Sequence, residues 1–432
     1  MTLSRRGAVP VWGTGAPEPA RAQAGRAAEP RWGPRQSITP LGIYLAVPFC
    51  RSKCSFCNFA SQVYAPGIYA EYATLLAREI ALTAAASDST GCDRRRVDSI
   101  YWGGGTPSLL PPPALAAILG ALGEHFQFEP NCEHTMEVAP GTLTPELLDL
   151  LPRLSPPVNR ISLGVQSFQD EETRAVGRLH RRSTVVDDIA RLRAAGIANF
   201  NLDLIAGLPH QTPASWRESL DLALEQEPPH LSVYMLEVDD DSRLGHELLA
   251  GGVRYHAHLV PDDDAIADAY ELAWERLAAA GRPGYEISNF AQPGAESRHN
   301  LKYWTRRPYL GFGVDAHSFV ETPTPVRYAN PDTLTAYCEP LRQGRLPRGA
   351  AAPVSARAAA EEFLFLGLRL ARGLSREAIA AAAAPVAGYA EWLEPRFQAQ
   401  LAAGLIEEHE GRIALTPRGR LLSNRVFAEF LA

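Results

Sequence analysis

Residues 48–57 read PFCRSKCSFC and carry three cysteines, Cys50, Cys54 and Cys57, in the spacing C-x3-C-x2-C. Three thiolates on one loop suit a [4Fe–4S] cluster, because the fourth iron is then left open for a further ligand. A structural zinc site normally needs four protein ligands, and no other cysteine or histidine follows within the next thirty residues. The spacing therefore favours a cluster, with zinc as the alternative.

Short apolar runs alternate with amphipathic stretches from residue 42 onward, a pattern that predicts strands and helices in turn. The predicted strands cover 42–48, 97–103, 134–140, 159–167, 200–207 and 231–238. The predicted helices cover 69–86, 112–125, 144–154, 170–195, 213–225 and 262–280. Strands separated by helices pair in parallel through right-handed crossovers. The sequence therefore predicts an α/β fold, a partial (β/α)6 TIM-like barrel with its site at the carboxyl ends of the strands.

The C-terminal part of the chain has a different pattern. A stretch rich in Ala, Arg, Pro and Gly at 341–360 predicts a linker. Helices at 361–372, 375–383, 389–403 and 421–431, with a hairpin at 404–417, predict a helical, winged-helix-like module. We therefore expect an extension at 1–38, a core domain at 39–282, a segment ending in the linker at 283–350, and a C-terminal domain at 351–432.

Composition limits the classes of function. The 432 residues carry a net charge of −7, whereas a nucleic-acid-binding protein is usually basic. No run of about 18 apolar residues is present, so no transmembrane segment is predicted. The lack of a signal peptide predicts a cytoplasmic location. Residues 1–38 have no periodicity and predict a disordered extension, with an Arg-rich targeting peptide as the alternative.

Polar residues stand where the predicted strands end, at the edge where a barrel binds its ligands. The run WGGGTPS at 102–108 could be only a tight turn, but glycines also let a ligand approach the backbone. Asp203 lies inside an apolar strand and needs a buried partner, and an arginine is the simplest one. The candidate residues at this edge are Gly104, Gly105, Thr106, Glu137, Gln166, Arg178 and Asp203.

The cysteine loop resembles that of radical S-adenosylmethionine (SAM) enzymes. More narrowly, YLAVPFC at 44–50 is similar to the start of the branch that contains coproporphyrinogen III dehydrogenases and haem chaperones, and the resemblance runs from about residue 42 to 432. It implies a radical SAM core at 39–282 and a HemN-like domain at 351–432. It also implies that the glycine loop holds the SAM amino group, that the polar side chains clasp the ribose and carboxylate, and that Tyr44 and Phe59 pack the adenine side. The cluster would then reduce the SAM sulfonium.

Two features favour the chaperone side of this branch. Phe59 stands two residues after the third cysteine, where the dehydrogenases carry a further cysteine. The motif HN-x2-YW resembles the haem-binding signature of HemW-type chaperones, which implies haem contacts from His299, Asn300, Tyr303 and Trp304. The alternative for His299 is a loop histidine that is hydrogen-bonded beside an aromatic cluster. A weaker second candidate for a haem contact is His317.

The resemblance thus implies a cytoplasmic haem chaperone with a SAM-ligated [4Fe–4S] cluster, which passes haem to an acceptor such as a respiratory protein. The second function is an oxygen-independent coproporphyrinogen III oxidase, which decarboxylates two propionates to vinyl groups. The sequence leaves open whether SAM is turned over, and it favours the chaperone over the enzyme. A distant alternative is DNA binding by the winged module. Positive charge near the wing comes from Arg412, Arg418, Arg420 and Arg425, but Glu407, Glu408 and Glu410 oppose phosphate contact.

Overall fold

The six predicted strands are present and pair in parallel, each beside the next one in the chain. The computed structural model describes residues 39–86, 96–237, 242–321 and 325–431. The predicted extension at 1–38 and the last residue of the sixth predicted strand lie outside these ranges. The strands are β1 (Leu41–Val47), β2 (Arg96–Gly104), β3 (Gln127–Val138), β4 (Arg160–Gln166), β5 (Phe200–Ala206) and β6 (His230–Met235).

Helices connect these strands and cover the outside of the sheet. They are α1 (Tyr69–Ala85), α2 (Pro112–His125), α3 (Pro145–Leu150), α4 (Asp170–Ala175), α5 (Arg182–Ala194), α6 (Pro213–Glu225), α7 (Arg243–Leu249) and α8 (Asp263–Ala279). Their starts follow the usual capping chemistry: the Asp262 side chain accepts a hydrogen bond from the Ala265 amide at the start of α8. The predicted α/β class and partial (β/α)6 barrel are confirmed.

The helix predicted over 170–195 is in fact two helices, α4 and α5. Gly177 adopts a φ of +83°, a left-handed conformation that glycine accepts easily and that ends the helical path. The sequence pattern missed this break because helical periodicity is similar on both sides of it. The break matters for the site, because it carries Arg178 out of helical geometry beside the cysteine loop.

The sheet continues beyond the six parallel strands on both sides. The additional strands are β7 (Asn289–Ala291), β8 (Tyr309–Phe312), β9 (His317–Val320), β10 (Val326–Ala329) and β11 (Ala352–Pro353). β7 runs antiparallel to β6, whereas β8 runs parallel to β1 and starts a row of short antiparallel strands. The order across the sheet is therefore β11-β10-β9-β8-β1-β2-β3-β4-β5-β6-β7. Helices α9 (Arg298–Trp304) and α10 (Leu334–Arg342) belong to the same region.

The C-terminal module has its own hydrophobic core, which includes Phe363, Leu393, Phe397 and Phe430. It consists of the helices α11 (Ala356–Leu368), α12 (Arg376–Ala383), α13 (Tyr389–Ala402), α14 (Pro417–Leu421) and α15 (Ser423–Ala428) and the strands β12 (Leu374–Ser375), β13 (Ile406–His409) and β14 (Arg412–Leu415). These strands form a small antiparallel sheet, so the helical and winged character is confirmed. The linker predicted at 341–360 is wrong in part, because that stretch includes β11 and the start of α11.

The two faces of the barrel strands differ sharply in polarity. Successive side chains of a strand point to opposite faces, and on one face Ile43, Leu45 and Trp102 are fully buried in the core with the helices. The other face is rich in polar groups: Tyr44, Ser99, Tyr101, Glu137, Ser162, Asp203 and Ser232. A polar barrel interior is costly unless it is hydrogen-bonded or reserved for a polar ligand. No helix in the described ranges is long and apolar enough to cross a membrane.

Candidate cofactor-binding site

The cysteine loop leaves the carboxyl end of β1 and is fixed by backbone hydrogen bonds. The Cys50 amide donates to the Gln62 carbonyl at 3.0 Å, and the Ser55 amide donates to the Val176 carbonyl at 3.1 Å. All three thiols are partly accessible. Burial raises the pKa of Cys54, and the guanidinium of Arg178 acts in the opposite direction by favouring the thiolate.

The three thiols of this loop are not gathered around a single point. Within the described ranges, no three His, Cys, Asp or Glu side chains are placed around one point as a single-ion site requires. A four-iron cluster does not need that geometry, because each thiolate binds a different iron. The buried Nε of Arg178 has no hydrogen-bond partner, so this cation is available to an anionic group beside the loop.

The glycine loop after β2 lies directly against the cysteine loop. The Gly105 amide donates to the Val47 carbonyl at 2.8 Å, and the Thr106 amide donates to the Phe49 carbonyl at 2.7 Å. A Cβ atom on Gly105 would lie only 2.7 Å from each of these two carbonyl oxygens, so no larger residue fits. Gly104 has a φ of +95°. The loop is thus both a tight turn and a backbone support for the cysteines.

Glu137 lies inside the barrel and accepts a hydrogen bond from the Tyr101 hydroxyl at 2.9 Å. The pKa of Glu137 is raised to about 8, mainly by burial and also by the nearby negative charge of Asp203. Tyr101 in turn stacks on Tyr44, with ring centroids 6.2 Å apart. The carboxyl group is therefore largely protonated at neutral pH and can donate or accept a hydrogen bond.

Gln166 and Arg178 converge over Gly164. A Cβ atom at Gly164 would lie 2.9 Å from Nη2 of Arg178 and 3.2 Å from Nε2 of Gln166. Gln166 has a φ of +68°, an uncommon conformation for a residue with a side chain. Glycine at 164 therefore makes room for both polar side chains at the carboxyl end of β4.

Asp203 is hydrogen-bonded to neutral side chains and, among the described residues, does not form the ion pair with an arginine that the sequence allowed. Its carboxylate accepts hydrogen bonds from the Ser162 hydroxyl at 3.1 Å and the Asn201 amide at 2.7 Å. Burial raises the pKa of Asp203, and Arg160 lowers it by attraction without a direct bond among the described contacts. Two carboxyl groups, Asp203 and Glu137, thus face a shared polar interior.

Tyr44 and Phe59, which the resemblance assigns to the adenine side of SAM, line one small cavity beside the cysteine loop. Asp315, which sequence reasoning did not assign to the site, lines the same cavity at a φ of +59°. Phe59 is 65 % exposed, so its ring is free to cover a ligand. An acidic residue at the end of β8 carried no recognisable motif, and only the parallel pairing of β8 with β1 brings it here.

The HN-x2-YW motif lies at the other end of the barrel. His299 is fully buried beside Gly42 and Ser99, near the amino ends of β1 and β2. Its Nδ1 is 3.0 Å from the Ser99 hydroxyl, and its Nε2 is 2.9 Å from the Tyr303 hydroxyl. Burial lowers the pKa of His299 to about 3, so the ring is neutral. Both ring nitrogens are engaged, which matches the alternative of a hydrogen-bonded histidine in an aromatic cluster.

The remaining members of the motif are also packed against protein. The guanidinium of Arg369 lies 4.3 Å from the Trp304 ring centre, while Asn300 is partly exposed. Lys302, which the motif analysis did not single out, binds Asp98 at 2.6 Å and the Pro40 carbonyl at 2.8 Å. Helix α9 therefore packs against the amino end of the barrel. The weaker candidate, His317, is exposed, 3.9 Å from Asp315.

Two of the four arginines near the wing are turned toward the protein, whereas Arg418 and Arg425 are exposed. Arg412 donates to the carbonyl groups of Arg372 and Gly373, and Arg420 lies 3.8 Å from the centre of the Trp274 ring. Arg412 and Arg420 are thus engaged by protein groups, and only the other two arginines are exposed to solvent.

Comparisons with known proteins show which families this chain resembles. The family model of the Radical SAM superfamily matches residues 44–223, and that of the HemN C-terminal domain matches residues 354–422. The heme chaperone HemW of Mycobacterium tuberculosis is 34 % identical over 397 residues, which cover 91 % of this chain and 95 % of the relative. The heme chaperone HemW of Escherichia coli is 32 % identical over 397 residues, 91 % and 99 % of the two chains.

Among solved structures, coproporphyrinogen III oxidase (HemN) from Escherichia coli, described as a radical SAM enzyme, has a TM-score of 0.75 and 25 % identity, over 91 % of this chain and 90 % of that one. This chain therefore shares its fold with a porphyrinogen oxidase, while its sequence is similar to that of haem chaperones. The backbone alone does not distinguish these two activities.

Proposed function

Because this chain belongs to the family of HemW haem chaperones within the radical SAM superfamily, we propose that it binds haem and passes it to an acceptor protein in the cytoplasm. The observation that carries the proposal is the identity to HemW proteins, which extends over nine-tenths of the chain and includes both the cysteine loop and the C-terminal module. A respiratory protein is the acceptor that we favour.

As a radical SAM protein, the chain uses a [4Fe–4S] cluster and SAM. We propose that Cys50, Cys54 and Cys57 hold the cluster, because they share one loop at the carboxyl edge of the barrel. When bound, the cluster supplies one-electron reduction of the SAM sulfonium. The role of Arg178 would be to bring positive charge to the thiolates and to the SAM carboxylate, since its Nε has no other partner.

The other polar residues would bind and orient SAM within the barrel. The loop residues Gly104, Gly105 and Thr106 present backbone at the cysteines, which is where the SAM amino group is expected. Glu137, Gln166 and Asp203 supply hydrogen-bonding groups for the ribose and carboxylate. Tyr44 and Phe59 would exclude water from the adenine side, because they line the cavity next to the cysteine loop.

The haem contacts that the motif implies remain a prediction. His299, Asn300, Tyr303 and Trp304 would have to move before His299 could ligate iron, because both of its ring nitrogens are occupied. The imidazole is neutral and therefore chemically suitable as an iron ligand. Removal of His299 tests the motif directly.

The function is tested with the full chain after anaerobic reconstitution. We expect about four irons and four sulfides per chain, and loss of the cluster chromophore in Cys54→Ser but not in Cys338→Ala, a buried cysteine outside the loop. We also expect uptake of ferric haem, seen as a Soret band, followed by transfer to an apo-haem acceptor.

Coproporphyrinogen III supplied with SAM and a reductant should remain unconverted. Repeated turnover of this substrate to protoporphyrinogen, with no haem uptake, would instead assign the chain to the oxidase activity of its structural relative.

A further inference from the structure

Residues 242–260, which we call the cap segment, lie against the cysteine loop. The Leu244 amide donates to the Ser55 carbonyl at 2.9 Å, and the Arg243 guanidinium donates to the Lys53 carbonyl. Leu248 and Phe56 pack on a small hydrophobic cluster that joins the cap segment to the loop. A ligand on the cap segment would therefore be close to the cluster and SAM site.

The cap segment exposes several large apolar side chains. Leu249 and Val253 are 71 % and 69 % exposed, and Tyr255 and Leu259 are 37 % and 39 % exposed. Single exposed apolar residues are ordinary, but four within eleven residues form a local concentration that favours a binding surface. The same segment carries Arg243, whose guanidinium lies 5.4 Å from the Tyr255 ring centre.

A chain of polar contacts ends at a histidine on this surface. Nδ1 of His256 is 3.1 Å from Nε2 of His210, and Nδ1 of His210 is 3.5 Å from the Glu171 carboxylate. In the tautomer in which neutral His210 keeps its proton on Nδ1, on the side of Glu171, its Nε2 accepts the hydrogen bond from Nδ1 of His256. The lone pair of His256 is then on Nε2, which has no partner among the contacts of the described residues and belongs to an exposed side chain.

This relay is assembled from three separate parts of the chain and is held in an uncommon backbone geometry. Glu171 lies in α4, His210 follows β5, and His256 lies in the cap segment. The φ angles of His210, Tyr255 and His256 are +68°, +55° and +58°, a region that costs free energy for residues other than glycine. The His210 amide also donates to the Leu259 carbonyl at 3.1 Å, which ties the two loops together.

We propose that Nε2 of His256 is an axial ligand of haem iron and that the porphyrin lies on the exposed apolar side chains of the cap segment. This inference rests on the proposed function, since it names the haem site of the chaperone. A coordinate bond forms between Nε2 and iron, an axial water leaves, and the proton stays on Nδ1, so no oxidant or reductant is needed. Arg243 supplies a cation for a propionate group, and the exposed apolar area covers one face of the macrocycle.

The experiment titrates full-length protein with ferric haem and compares His256→Ala with His299→Ala. We expect His256→Ala to weaken haem binding at least tenfold and to change the spin state, and we expect added imidazole to restore the wild-type spectrum. Glu171→Gln should alter the spectrum more mildly, because it removes only the negative charge beside His210 and leaves His256 in place. The matched control is His409→Ala, which removes another exposed histidine, on the wing.

Iron-free protoporphyrin IX separates ligation from packing. It should bind wild type and His256→Ala equally, because only the iron contact is lost. If His256→Ala weakens the binding of haem and of iron-free porphyrin equally, His256 is not an iron ligand and only packs against the macrocycle. Haem binding that survives His256→Ala but not His299→Ala would overturn the inference in favour of the motif. If wild type itself takes up no haem, the proposed function fails rather than this assignment of the ligand.

Discussion

Glu137 shows how strongly the barrel interior changes the chemistry of one side chain. Burial, together with the nearby Asp203, moves the pKa of its carboxyl group from 4.5 to about 8. The folded protein therefore holds this proton more tightly than the unfolded chain does. The contribution of this proton to the free energy of unfolding is fully present below the unfolded pKa and is lost as pH rises from about 5 to 8.

Replacing Glu137 by glutamine tests this effect. The amide keeps the shape and a hydrogen-bonding group for Tyr101 but cannot ionise. We expect the SAM-free Glu137→Gln protein to lose less stability than wild type between pH 5.5 and pH 8.5, with a relative gain on the order of a few kcal/mol at the upper end. Urea unfolding at the two pH values measures the difference.

The control for this prediction is Glu124→Gln, which changes an exposed glutamate at the end of α2. Its stability should follow wild type at both pH values. Parallel curves for Glu137→Gln and wild type would show that the carboxyl group is already ionised in the folded protein.

At the scale of single residues, the sequence indicated which polar side chains lie at the carboxyl ends of the strands, but not where the histidines pack. Asp203 stood out because a carboxylate inside an apolar strand is costly to bury without a partner. The HN-x2-YW motif gave the local spacing of His299 but not the end of the barrel at which α9 packs. The pairing of His210 with His256 was also hidden, because it joins two loops with no motif in either one.

At the scale of elements, the glycine loop offers a steric prediction. A Cβ atom at Gly105 would lie 2.7 Å from the carbonyl oxygens of Val47 and Phe49, which are fixed backbone atoms. We expect Gly105→Ala to push the glycine loop away from the cysteine loop, and thereby to lower the iron and sulfide retained per chain by more than half. Iron and sulfide analysis after reconstitution measures this loss.

Gly120→Ala is the matched substitution, since Gly120 lies within α2 and nothing is within 4 Å of the added methyl group. It should retain the cluster and stabilise the helix by up to about 1 kcal/mol. A Gly105→Ala protein with wild-type iron content would show that the two loops can separate without harm to the thiols.

Long elements were easier to predict than short ones. The six parallel strands and most helices of the barrel had enough residues for a clear apolar pattern. The strands β7 to β11 have two to four residues each, too few for periodicity, and their pairing depends on contacts distant in sequence. The break between α4 and α5 depends on a single glycine conformation.

At the scale of the whole molecule, ion pairs connect the barrel to the C-terminal module. Glu362 of α11 accepts hydrogen bonds at 2.7 Å from Arg306 and from Arg327, and its side chain is only 15 % exposed. Burial alone would raise the pKa of Glu362, but hydrogen bonds from these arginines outweigh it and lower the pKa. The resulting stabilisation is present at neutral pH and is lost as pH falls through the folded pKa.

Glu362→Ala should therefore destabilise the protein by about 3 kcal/mol, because two poorly solvated guanidinium groups lose their shared carboxylate. Thermal unfolding and limited proteolysis around residue 350 measure the effect. Glu71→Ala breaks an exposed pair with Arg342 and should change little. Equal effects from the two substitutions would mean that the shared carboxylate adds nothing beyond a surface contact.

The overall division into a barrel and a winged module was predictable because each has its own apolar pattern. Their attachment was not, since the arginines at 306 and 327 and the glutamate at 362 read as ordinary surface charges until the chain is folded. Charge pairs across distant segments leave no periodic signal in a single sequence.

The position of α9 at the amino end of the barrel has a consequence for how ligands exchange. Lys302 of α9 is tied to Asp98 and to the Pro40 carbonyl at the amino end, whereas the cysteine loop and the cap segment lie at the carboxyl end. We therefore expect small molecules to enter and leave at the carboxyl end. SAM would bind in the polar interior of the barrel, and haem on the cap segment would lie beside the cysteine loop. If haem occupies the cap segment as we propose, it lies between SAM and solvent, so we expect SAM to exchange more slowly while haem is bound.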